Sequence, residues 1–239
     1  MGQLPANEAE DFGPFLTAEW RHLAMLNYEV DAKLLAPYVP RGVEVDFWEG
    51  RTYVSLVGFL FLNTRVLGVP VPFHRNFEEV NLRFYVRRGD RRGVVFIKEI
   101  VPRTAIAWVA RIVYREDYVC LPMRLRIEDA GVEYGWRHRG RWSRIIAPTI
   151  GAPRSLDPGS HEEFIAEHYW GYTKRSQDAT EEYRVEHPRW LIRASDSAEF
   201  ECSVSGVYPD EFGFLSTRPP ESAFVAEGSA VTVSRGRRL

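Results

Sequence analysis

The sequence predicts a mainly β protein with a few short helices, its strands running antiparallel. Segments such as Phe77–Val86, "FEEVNLRFYV", alternate polar and apolar side chains with a period of two, the repeat of a pleated strand. Turn signals such as Glu49-Gly50 and "RRGDRRG" follow one another so closely over residues 43–102 that no crossover helix fits between the strands. Helical patterning is confined to two or three short stretches.

Taken in order, "WRHLAMLNYEV" reads as a strand, and "DAKLLAPYVP" as a short helix capped by Asp31 and ended at Pro37 or Pro40. "VEVDFWEGRTYVSLVGFLFLN" reads as two strands joined at Glu49-Gly50. The second is apolar on both faces and so belongs at the centre of a sheet. A loop, "RVLGVPVPFHRN", leads to "FEEVNLRFYV", and "VVFIKEIVP" returns after the charged turn. "TAIAWVARIVYRED" places Ile106, Val109, Ala110 and Val113 on one helix face, and a helix is expected there. Strands "YVCLPMRLRIED" and "VEYGWRHRGRWSRIIAP" follow, then a Pro/Gly/Ser loop from Pro148 to Gly159. Ser160 with Glu163 three positions on marks a helix start. "YWGYTKR" and "EEYRVEHPRWLI" form a hairpin, and "EFECSVSGVY" and "SAFVAEGSAVTVS" are the last strands.

A chain of 239 residues divides simply into a flexible segment, 1–15, and one domain, 16–239. A net charge of −2 argues against a surface built for nucleic acid or anionic lipid. The longest nearly apolar run, Tyr53 to Leu62, is too short to span a bilayer, and the acidic start lacks the pattern of a signal peptide, so a cytoplasmic protein is expected. The two cysteines, Cys120 and Cys202, read as free buried thiols. A homo-oligomer is left open.

The six histidines lack the spacing of a helical zinc site, so no metal is expected. Nucleophile-elbow, phosphate-loop and dinucleotide motifs are missing, and no cofactor is expected. "RHRGRWSR" resembles a nucleic-acid patch, but a solvated hairpin turning at Arg139-Gly140 accounts for it more simply. Only Lys33, Lys98 and Lys174 or the amino terminus could form an imine. Lys98, inside an apolar strand, either faces a cavity or reaches water or a carboxylate at an edge.

In order along the chain, "FLTAEWRHLAMLNYEVDAKLLAPYVPRGVEVDFWEGRTYVSLVGF", "FEEVNLRFYV" with "GVVF", "VARIVYREDYVCLPM" and "YRVEHPRWLI" resemble the YqjF-like family. That family is distantly similar to the acetoacetate decarboxylase-like superfamily. The resemblance implies an antiparallel β cone or barrel around a central pocket. It also implies that Phe77-x-Glu79 corresponds to a strand whose acid points into that pocket, which would turn Glu79, Asn81 and Arg83 inward. "ARI" at Ala110–Ile112 is similar to the segment that leads to the imine-forming lysine of the decarboxylases, but the corresponding stretch here ends at Tyr118. Schiff-base decarboxylation is therefore not expected.

The expected site has Glu79 and Tyr118 as acid and base, and Asn81, Arg83 and Arg111 as the hold on a small carboxylate or carbonyl ligand, with His187 and Trp190 at its rim. Two readings follow. One is a lyase or hydratase working without imine formation. The other is a β-barrel that binds a small ligand without turning it over.

Overall fold

The computed structural model describes residues 13–71, 75–102, 118–176, 178–202 and 206–239. Strand β1 (Pro14–Val30) leads into helix α1 (Ala32–Leu35), where the Asp31 carboxylate accepts the Lys33 amide at 2.8 Å. A 3-10 turn over Ala36–Tyr38 holds Pro37 and ends the helix. The next strands are β2 (Glu44–Val45), β3 (Thr52–Val66), β4 (Val69–Pro70), β5 (Phe77–Arg88) and β6 (Arg91–Val101). Then come β7 (Tyr118–Cys120), β8 (Met123–Glu128), β9 (Gly131–His138), β10 (Arg141–Pro148) and β11 (Ile150–Arg154). Helix α2 (His161–Ala166) precedes β12 (Trp170–Ser176), β13 (Ala179–Glu186), β14 (Ile192–Ala194) and β15 (Glu199–Glu201). The chain closes with a 3-10 helix (Asp210–Ser216), β16 (Ser222–Ser234) and β17 (Arg237–Arg238).

One long sheet runs β11-β14-β16-β1-β3-β5-β6-β12-β13-β17 and curls until β13 meets β16, with Val185 opposite Val233 and Glu186 opposite Thr232. The result is a curled, barrel-like sheet. Its pairings are antiparallel except where β6 meets β12 and β7, both parallel. A second sheet, β15-β10-β9-β8, covers part of the outside. The curl is a consequence of pattern: β3 and β5 are apolar on both faces, so each must be covered on both. Val80, Leu82, Phe84 and Val86 of β5 pack outward with Tyr134, Trp136 and Ile145 of the second sheet. Phe77 and Tyr85 pack inward with Phe59, Phe61 and Phe164.

Several expectations need correction. After two residues β2 leaves the Glu49-Gly50 turn and pairs with β5, and only a Trp48–Arg51 bridge joins its end to β3. The stretch Pro148–Gly159 contains β11, whose Ile150 and Arg154 pair with β14, because a sheet edge accepts a strand of weak pattern when the partner is already in place. Within "RVLGVPVPFHRN", Val69–Pro70 turns back onto β3. The helix expected over 104–117 lies outside the described residues. "RHRGRWSR" is the β9–β10 hairpin, with Arg144 bidentate on Glu201 at 2.8 and 2.9 Å and Arg124 and Arg137 over the Trp142 ring. Both cysteines are free thiols, partly buried. Among the described residues no helix is long and apolar enough to cross a membrane.

Candidate functional site

Inside the curl lies a cavity of about 90 Å³. At 10–15 Å³ for each water-sized position, it has room for roughly six to nine heavy atoms. Its walls are aromatic, from Trp20, Phe59, Phe61, Phe96 and Trp190, and its polar groups sit mainly along β5. Because β5 alternates, Glu79, Asn81 and Arg83 all point into the cavity while their neighbours fill the outer core. They are 3, 2 and 9% exposed.

Asn81 Nδ2 donates to Glu79 Oε1 at 3.5 Å, which leaves Asn81 Oδ1 buried with no hydrogen-bond partner. Among the described residues Arg83 Nη2 reaches only the Ile165 carbonyl, at 3.4 Å, and Met25 Sδ, at 3.9 Å, and the Arg83 Nε–H has no acceptor. The guanidinium also lies 5.7 Å from the Tyr85 ring centroid. Arg83 forms no ion pair with any described carboxylate, although Glu79 and Glu99 line the same cavity.

From β6 comes a residue that sequence reasoning did not select. A β-bulge lies between the pairs Leu82–Lys98 and Arg83–Phe96, so Ile97 and Lys98 both fall on the outer side while Phe96 and Glu99 turn inward. Glu99 is 1% exposed and pairs with Tyr118 of β7, which also lines the cavity. The alternation of "VVFIKEIV" separates Lys98 from Glu99, but only the register with β5 decides which of them faces in. Lys98 lies opposite Leu82, on the outer-core side; Lys33 is exposed in α1 and Lys174 is exposed with Nζ on the Pro37 carbonyl. None of the three lysines lines the cavity.

The second residue missed is His168, just after α2, whose side chain is buried against the rings of Tyr85 and Phe164 at 4.7 and 5.5 Å. Its Nε2 lies 3.5 Å from Asp46 Oδ2, which accepts Arg92 Nε at 2.7 Å, and neither ring nitrogen has a hydrogen-bond partner among the described residues. Burial lowers the imidazole pKa to about 4, with Asp46 opposing and Arg92 and Arg83 reinforcing the shift, so the ring is neutral at pH 7. Burial alone would raise Asp46, but His168 and Arg92 outweigh it and hold the carboxyl below its ordinary range. No motif in the sequence marks His168.

His187 also lines the cavity, stacked 4.0 Å from Trp190, with Nδ1 2.9 Å from the Pro188 carbonyl and its pKa lowered by burial. The structure thus brings Glu79, Asn81, Arg83, Tyr118 and His187 together around one cavity. Arg111 lies outside the described residues.

The model of the DUF2071 family, described as an uncharacterized conserved protein, matches residues 17–230. The uncharacterized protein YqjF of Bacillus subtilis (strain 168) is 26% identical over 192 residues, 79% of this chain and 78% of that one. Among solved structures, acetoacetate decarboxylase from Legionella pneumophila superposes with a TM-score of 0.71 at 13% identity, over 99% of this chain and 92% of that one. An acetoacetate decarboxylase-like enzyme from Sphingomonas wittichii RW1 gives 0.63 at 13%, covering 100 and 99%. The enduracididine biosynthesis enzyme MppR complexed with pyruvate gives 0.64 at 12%, covering 98 and 94%. At such identities these likenesses establish the fold, which is that of the acetoacetate decarboxylases.

Proposed function

Because this chain belongs to the DUF2071 family and shares its fold with enzymes of carbonyl chemistry, we propose that it is a lyase- or hydratase-type enzyme acting on a small carboxylate without a Schiff base. What supports this is Arg83, a buried guanidinium that lines the cavity and is ion-paired with no described carboxylate. Leaving such a charge unpaired costs several kcal/mol, and a ligand carboxylate removes that cost with charge-assisted hydrogen bonds. The pyruvate of the MppR complex is a small 2-oxo acid of the size this cavity admits.

In this reading Arg83 holds the carboxylate and Glu79 takes a proton from the carbon next to the carbonyl, on the side away from the carboxylate. The electron pair moves onto the carbonyl oxygen, which takes a proton from Tyr118. Aromatic walls exclude water and strengthen each polar contact. No lysine is within reach to replace the carbonyl by an imine.

Exchange of the methyl protons of pyruvate in D₂O, followed by ¹H NMR, tests this. The wild type exchanges them, and Glu79→Gln slows exchange at least about a hundredfold. Exchange at the wild-type rate in Glu79→Gln contradicts the assignment of the base. Binding of pyruvate with no exchange in the wild type favours the ligand-binding protein over the enzyme.

A further inference from the structure

Among the buried polar atoms of cavity-lining residues that have no hydrogen-bond partner within the described residues are Trp20 Nε1, Arg83 Nε, Asn81 Oδ1 and both ring nitrogens of His168, and they differ in kind. The Arg83 Nε–H is a donor. Asn81 Oδ1 is an acceptor, and its identity follows from its neighbour: Glu79 is acceptor-only when ionised, so the amide turns its NH₂ to Glu79 and its oxygen away. Neutral His168 carries one ring proton, and with that proton on Nε2, beside Asp46 Oδ2 at 3.5 Å, Nδ1 is an acceptor as well. These atoms therefore include the cationic donor of Arg83, the indole donor of Trp20 and two neutral acceptors.

We propose that the cavity takes a small hydroxycarboxylate, its carboxylate on Arg83 and its hydroxyl groups donating to Asn81 Oδ1 and His168 Nδ1. The inference rests on the carboxylate site just described and narrows its ligand. A plain carboxylate satisfies Arg83 and leaves both acceptors bare, and so does a 2-oxo acid, whose carbonyl has no proton to donate. A three-carbon acid with two hydroxyls supplies both donors. Glycerate, with seven heavy atoms, falls within the roughly six to nine that the cavity admits.

Titration calorimetry of the full chain with glycerate, lactate and propionate removes one hydroxyl at a time at nearly constant shape. Glycerate is expected to bind at least about tenfold more tightly than lactate, and lactate about tenfold more tightly than propionate, as in sites built around a ligand hydroxyl. In Asn81→Leu, near-isosteric and checked for folding by circular dichroism, the glycerate-to-propionate affinity ratio drops about tenfold. Equal affinity for the three acids overturns the hydroxyl inference, with water filling both positions, and leaves the carboxylate site standing. Binding of none of them, or the same affinities in Arg83→Met, overturns the carboxylate site and this inference with it.

Discussion

Arg83 is 9% exposed and has two weak contacts, to a carbonyl and a thioether, where a buried guanidinium ordinarily has a carboxylate. Such a residue is retained at the expense of stability. Arg83→Met is therefore predicted to raise the ligand-free protein's unfolding free energy by about 1–3 kcal/mol, read from urea midpoints at neutral pH, while abolishing carboxylate binding. A loss of stability of that size would mean that Arg83 is a structural charge. The inward strip Glu79-Asn81-Arg83 was legible in the sequence because the strand period fixes which residues share a face. That the face was buried came from the resemblance. His168 was not legible, since its place depends on α2 ending three residues short of β12 beside Asp46, a contact spanning more than a hundred residues.

At the scale of elements, β3 and β5 are each covered on two sides, and β3 shows how closely. Gly58 lies under the Tyr134 ring of the second sheet, where an added Cβ would come within 2.5 Å of Tyr134 Cδ2. Tyr134 is fully buried, with its hydroxyl donating to the His22 carbonyl at 2.8 Å, and cannot move aside cheaply. Gly58→Ala is predicted to cost about 1–3 kcal/mol by overpacking, measured by denaturant unfolding. Unchanged stability would show that the sheets separate there without penalty. Central strands and the helix start at Ser160, whose Oγ accepts the Glu163 amide at 3.1 Å, were legible because hydrophobic pattern and capping chemistry are local. β11 and the β6 bulge were not: the edge strand is defined by its partner, and the bulge by registry with β5.

For the whole molecule, burial of neutral histidines couples folding to pH. His168 and His161 are both lowered to about 4, each chiefly by burial. For His168, Asp46 opposes the shift and Arg92 and Arg83 reinforce it; for His161, Glu162 opposes and Arg51 reinforces. In the unfolded chain both titrate near 6.5, so between about pH 6.5 and 4 the unfolded state binds more protons. Stability is thus predicted to be level above pH 6.5 and to fall by a few kcal/mol as pH drops to 4, with the less buried His161 contributing less. Urea midpoints at pH 7.5 and 5 check this, and His168→Gln should flatten the difference; the same slope in that variant would contradict the burial of His168. Whether the curled sheet encloses a carboxylate site centred on Arg83 and free of imine chemistry can be read from a crystal structure of the protein with pyruvate. The carboxylate is expected within hydrogen-bonding distance of the Arg83 guanidinium, beside Asn81 and Tyr118, with no covalent bond to protein. Pyruvate bonded to Lys98, or bound only outside the cavity, would contradict it.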